Sequence, residues 1–163
     1  MSDMLAKISS YNIFNYLFPG AVFGVFGERV RLLDLGTHDV LTRLIIYYFL
    51  GLCISRVGSV IIEPVLKLSK FVTQAPYANY LKASDKDSEM SVMVEVTNTY
   101  RTLTAGFLLL PLSLKTKAVA DHYHLSDADR YVILSILLLS LFAFSYRKQS
   151  SFVRKRVEHY SGK

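Results

Sequence analysis

The sequence has no tryptophan, a single cysteine, only four prolines, and long stretches without one charged residue. One cysteine excludes an intramolecular disulfide and any zinc site built from several thiolates. Cys53 lies inside an apolar run, where a thiol behaves as a small hydrophobe. Catalytic signatures are missing too: there is no G-x-S-x-G, no phosphate-cradling glycine loop, no H-E-x-x-H and no intramembrane pair of aspartates. The chain therefore reads as a protein that is not an enzyme and carries no cofactor or metal. Asp121, His122 and His124 form the segment DHYH, but two histidines without a third ligand at a defined spacing read as a solvated loop. His38 and His159 stand alone.

Acidic residues are also scarce, at 13 against 19 Lys and Arg, which gives a formal charge of +6. Charged residues make up 20% of the chain, below the roughly 25% of ordinary soluble domains. They are gathered between four apolar blocks: IFNYLFPGAVFGVFG (Ile13 to Gly27), LIIYYFLGLCISRVGSVII (Leu44 to Ile62), LTAGFLLLPLSL (Leu103 to Leu114) and YVILSILLLSLFAFSY (Tyr131 to Tyr146). A membrane span needs about 20 mainly apolar residues. The second block meets this alone, and the others reach it by borrowing amphipathic flanks, as Arg101 does if it snorkels. The fourth block is apolar all round, the pattern of a helix buried in a large core or in lipid. Four such blocks in 163 residues leave too little polar surface to wrap them in water. The first block is not a cleavable signal, because Pro-Gly interrupts it and no small-residue cleavage motif follows.

The fold class expected is all-α, an integral membrane four-helix bundle in one domain. Its spans fall at about residues 12–28, 43–63, 98–114 and 130–146. With Lys7, the segment between the second and third blocks and the tail on one side, that side carries twelve Lys and Arg against six on the other. Short loops rich in Lys and Arg stay in the cytoplasm. Both termini are therefore expected in the cytoplasm of a bacterial inner membrane. A cytoplasmic helical hairpin is expected over 64–97, with its tip at KASDKDSEM, a kink at Pro64 and both transmembrane helices extended into it. The basic tail 147–163 prolongs the fourth helix.

Arg56 is the residue least at home in its surroundings. A charge within a span costs roughly 2.5–3.5 kcal/mol on insertion scales and persists where something compensates it. Arg56, Ser59 and Glu63 share a helical face with Ser55 beside them. Gly51, Ser55 and Gly58 add the small-residue spacing that admits a second helix. These six residues are expected at a helix or subunit interface, with a carboxylate from another helix or another copy facing Arg56. Arg56 and Glu63 stand two turns apart, too far for an easy direct bond. Pro19 and Gly20 are expected to break or kink the first helix, and Asn12 and Asn15 to bond across helices or cap a turn. Arg147, Lys148, Arg154, Lys155 and Arg156 follow a span directly and are expected to dock anionic lipid or an acidic cytosolic partner. Direct nucleic-acid binding is not expected of them.

SYNIFNYLFPGAVF (Ser10 to Phe23) and ISRVGSVIIEP (Ile54 to Pro64) resemble stretches in small bacterial four-span membrane proteins that accompany antiphage systems, the Kiwa membrane subunit type. The resemblance implies a membrane-resident homo-oligomer, such as a tetramer, that senses infection or recruits a cytosolic partner. It carries no site residue with it. The rival readings are a pore-forming effector that depolarises the membrane and a small transporter or its accessory subunit.

The charge distribution makes a direct prediction for topology. Reporter fusions after Lys86 and after Lys163 are expected to read cytoplasmic, and one after Thr116 external. An external reading at Lys163 would reverse the orientation.

Overall fold

The computed structural model describes residues 13–36 and 38–161. Asn12, Lys7 and Lys163 of the expectations above lie outside them. The described residues are helical, without a strand. Helix α1 (residues 13–29) begins as a π-helical turn, Ile13–Leu17, and continues as Phe18–Arg29. Helix α2 is Val40–Leu68, with a π-helical turn at Gly58–Ile62. A short α3, Tyr77–Ser84, is followed by two long helices, α4 (Met90–His122) and α5 (Asp127–Tyr160).

Helix ends follow from local chemistry. Asp39 accepts the backbone N–H of Thr42 at 2.9 Å and so satisfies one free donor at the start of α2. Hydrogen bonds from Thr42 hold the Asp39 carboxyl below its ordinary range. Ser126 and Asp129 close a reciprocal capping box on α5. Three helices end through left-handed residues that are not glycine: Arg31 (φ 55°), Lys70 (φ 58°) and His124 (φ 52°). At each, the paired backbone bonds of a Schellman motif form, as in Lys70 N–H to Lys67 C=O and Phe71 N–H to Leu66 C=O. The near side of the expected hairpin, where the second transmembrane helix was to run on through KLSKFV, is corrected here. The cap at Lys70 stops α2 at Leu68, and α3 forms as a separate short helix before α4 begins. The connection between the spans expected at about 98–114 and 130–146 contracts to a turn, since α4 runs on to His122 and α5 starts at Asp127.

The π-helical turns share one setting. Each ends two residues before a proline, at Leu17 before Pro19 and at Ile62 before Pro64. Proline has no N–H to give to the i−4 carbonyl, and a local i→i+5 register is one way a helix absorbs that defect. The break expected at Pro19 and Gly20 is thus a change of helical register, and α1 continues through it.

α2, α4 and α5 are each long and apolar enough to cross a membrane. At 33 and 34 residues, α4 and α5 are about 50 Å long, against roughly 30 Å of hydrocarbon. They therefore project beyond any membrane they cross. α1 is shorter over its described residues, but it lies antiparallel along α2. Tyr16 meets Gly51 near one end, and Glu28 pairs with Arg43 at 2.9 Å near the other. α4 packs on both: Phe26 of α1 meets Phe107 edge-on at 5.9 Å, and Gly58 of α2 sits against Ala105 and Arg101. α5 lies against α2 with Ser145 as its one buried residue, and none of its most apolar 18-residue stretch is buried. Beyond the apolar section, α3 meets α5 through the rings of Tyr77 and Phe152, 5.5 Å apart, and Tyr160 donates to Asp85 at 2.9 Å.

Polar side chains lie inside and apolar ones outside. Asn15, Ser55 and Thr102 are buried between helices, while Ile133, Leu137, Leu139 and Phe144 are exposed. The α1–α2 contact depends on missing side chains. A Cβ on Gly51 would fall 1.8 Å from the Tyr16 carbonyl oxygen, and one on Gly20 1.8 Å from that of Tyr47. Gly51→Ala must therefore push two backbones apart. We expect it to lower stability in detergent by about 1–3 kcal/mol, the usual range for overpacking. An unchanged unfolding midpoint would show that the helices do not approach so closely.

Candidate functional site

The strongest concentration of polar chemistry lies at one end of the bundle, around Glu63. Its side chain is 10% exposed. Oε1 accepts from Lys67 Nζ at 2.8 Å, one helical turn on. Oε2 accepts from Arg101 of α4 at 2.8 Å and from Lys148 of α5 at 3.3 Å. One carboxylate thus joins α2, α4 and α5. Removing charges from water is costly, so such a group is stable only when close, well-directed donors replace the solvent.

The local backbone explains why Lys148 comes here. In α register the Ser59 carbonyl would accept the N–H of Glu63, but that N–H bonds to Gly58 in the π-helical turn. In π register the donor to Ser59 would be residue 64, which is proline and has none. The orphaned Ser59 carbonyl is taken by Lys148 Nζ, which also donates to Ser59 Oγ at 2.8 Å. Pro64, Ser59 and Lys148 therefore form one device: the proline frees the carbonyl, and the lysine satisfies it on its way to Glu63.

Arg56 lies two turns before Glu63, within the apolar section. Its Nη2 donates to the Tyr16 hydroxyl at 2.9 Å, and its guanidinium stands 6.0 Å from the Tyr16 ring centroid. The acceptor is thus a phenol of α1 where a carboxylate was expected, because the close approach at Gly51 brings Tyr16 alongside. Among the described residues, Nε of Arg56 and of Arg101 is buried without an acceptor.

The expected interface residues divide between neighbours. Gly51 and Arg56 meet α1, Gly58 meets α4, and Ser59 and Glu63 reach α5; Ser55 is buried at 3% exposure. Pro19 and Gly20 are buried on α1. The basic tail also divides. Lys148, expected to dock a lipid or partner, turns inward because Ser59 and Glu63 satisfy its three protons. Arg154 pairs with Glu158 at 3.5 Å, and Arg156 lies 5.8 Å from the Tyr160 ring centroid. Arg147 and Lys155 are exposed. Tyr16, Lys67 and Arg101 were not among the expected site residues. Lys67 alone carried a local signal, its i,i+4 spacing from Glu63.

Among the described residues, no three His, Cys, Asp or Glu side chains come together to hold a metal. The arrangement suits structural locking and electrostatics: a carboxylate shared by three cations, with two positive charges in excess. Set against known proteins, the chain matches no family model, no curated protein and no solved structure.

The cluster makes a mutational prediction. Glu63→Ala leaves Arg101 and Lys148 facing each other unpaired and is expected to cost about 3 kcal/mol, as for a buried pair broken on one side. Lys148→Met in the same chain is expected to recover part of that loss. Unfolding midpoints for the two single variants and the double would decide; strict additivity would mean the two side chains do not interact.

Proposed function

We propose that this chain is a non-enzymatic component of a bacterial inner membrane. It has both termini in the cytoplasm, α1 as the fourth membrane helix, and homo-oligomers as its working form. The single observation that carries this reading is the inverted polarity of the helices. α4 and α5 expose their apolar length, while ionic groups are gathered inward at one end. That end also holds α3 and the basic part of α5, the side favoured as cytoplasmic by twelve Lys and Arg against six. Lipid and further copies of the chain are the surroundings that suit such faces.

Within that frame, the proposed role is in antiphage defence, sensing infection at the membrane or recruiting a cytosolic partner through the projecting ends of α3 and α5. The defence assignment rests on the resemblance carried by Ser10 to Phe23 and Ile54 to Pro64. The sensing or recruiting role is favoured over a pore by where the polar residues lie. Ser55 is buried, Arg56 turns to Tyr16, Ser59 is held by Lys148, and Ser135 bonds to its own helix at Tyr131 on the exposed surface of α5. They do not line one path.

Two measurements test this. Cells expressing the gene with its neighbours are expected to plate phage less efficiently than cells lacking it, and equal plating would remove the defence role. Liposomes carrying the purified chain are expected to hold a potassium diffusion potential as long as empty ones. A rapid collapse would establish the pore.

A further inference from the structure

Beside the Glu63 cluster, α2 and α5 enclose an open groove of about 440 Å³. Its α5 wall follows one helical stripe at positions 144, 147, 148, 151, 152 and 155. The groove has two chemistries. Val60, Phe144 and Phe152 make it apolar, while Arg147, Ser151 and Lys155 give it cations and a hydroxyl. Among the described residues, neither Arg147 nor Lys155 has an acidic partner at ion-pair distance. The nearest cluster offers no relief, because Glu63 is already shared by Lys67, Arg101 and Lys148.

We propose that this groove is a binding site for an anionic phospholipid. Its phosphate lies between Arg147 and Lys155, with Ser151 donating a hydrogen bond, and an acyl chain runs over Phe144 and Val60. Position selects a lipid over a free phosphate. The groove opens where the apolar run Tyr131 to Tyr146 ends, so a headgroup held at Arg147 places its tails along the exposed apolar length of α5. A free anion would leave the apolar half of the groove unused. The inference rests on the membrane reading above, and goes beyond it by assigning a ligand and the residues that hold it.

The test uses the full chain in dodecyl maltoside micelles titrated with dioleoyl-phosphatidylglycerol, with bound lipid read by native mass spectrometry. The parent is expected to prefer phosphatidylglycerol to dioleoyl-phosphatidylcholine. Arg147→Gln with Lys155→Gln is expected to weaken the anionic lipid roughly thirtyfold, two juxtamembrane cations being removed. Arg154→Gln with Arg156→Gln removes the same charge from residues engaged elsewhere and is expected to leave affinity within about threefold. Ser151→Asp, which places a negative charge in the groove, gives a second and independent loss. Equal weakening by both pairs would reduce the site to diffuse attraction, and competition by inorganic phosphate as strong as by phosphatidylglycerol would make it a free-anion site; either overturns the proposal. Carbonate extraction of cell membranes reports on insertion separately, so a failure here and a failure of the membrane reading are distinguishable.

Discussion

A single carboxylate ties α5 to helices with which it otherwise shares little surface. Glu63 has two oxygens, and three cations from three helices converge on them. The position explains how this is tolerated. Deep in hydrocarbon an unneutralised set of charges would be prohibitive, and in open water each pair would contribute little. On the proposed membrane reading, the dielectric at the end of the apolar section is low enough to strengthen the bonds, and the excess positive charge lies close to water and headgroups. α5 depends on this most. With only Ser145 buried, it is held to α2 by Lys148 near its middle and to the α3 segment by Phe152 and Tyr160 beyond it.

The rest of the bundle is built on backbone proximity. Gly20 and Gly51 let α1 and α2 touch main chain to main chain, so Tyr16 arrives beside Arg56 with its hydroxyl in reach. In a lipid environment, apolar side chains gain little by turning inward, and close van der Waals contact with interhelical hydrogen bonds takes over. Pro19 and Pro64 fit the same logic. Each is preceded by a π-helical turn, and at Pro64 that turn supplies the acceptor that draws Lys148 in. Proline, π turn and ion cluster are therefore consecutive consequences of GSVIIEP.

Much of this was legible in the sequence, and the limits have physical causes. The apolar blocks mark α2, α4 and α5 because helices long and apolar enough to cross a membrane advertise themselves by composition. Their ends are harder to place: polar residues on either side of a block belong to the same helix once it projects beyond its apolar section, so α4 runs on to His122 where the third span was expected to end near residue 114. Capping chemistry could have stopped α2, but a left-handed lysine at position 70 carries no sequence signal that glycine would have supplied. Arg56, Ser59 and Glu63 were found through helical spacing, since one helix holds all three. Their partners were not. Tyr16 is 40 residues from Arg56 and Lys148 is 85 from Glu63, and pairing at such separation is set by packing that no local pattern encodes. Lys148 in particular looks, in sequence, like its basic neighbours.

The division of labour along α5 gives the basic tail a second meaning. Lys148 points into the bundle, and Arg147, Lys155 and Ser151 stand on the same stripe facing the groove. An anion held there approaches a cluster with two positive charges in excess, so it relieves repulsion among Lys148, Arg101 and Lys67 as well as binding its own ligands. On the proposed reading, headgroup binding and the seating of α5 on Glu63 therefore favour each other, and linkage requires the coupling to act in both directions. The apolar length of α5 packs against little else in the chain. On the same reading, a change in surrounding lipids or in neighbouring copies of the chain reaches the helix where the fewest protein contacts oppose movement. That places the proposed sensing element where packing is thinnest and electrostatic anchoring strongest.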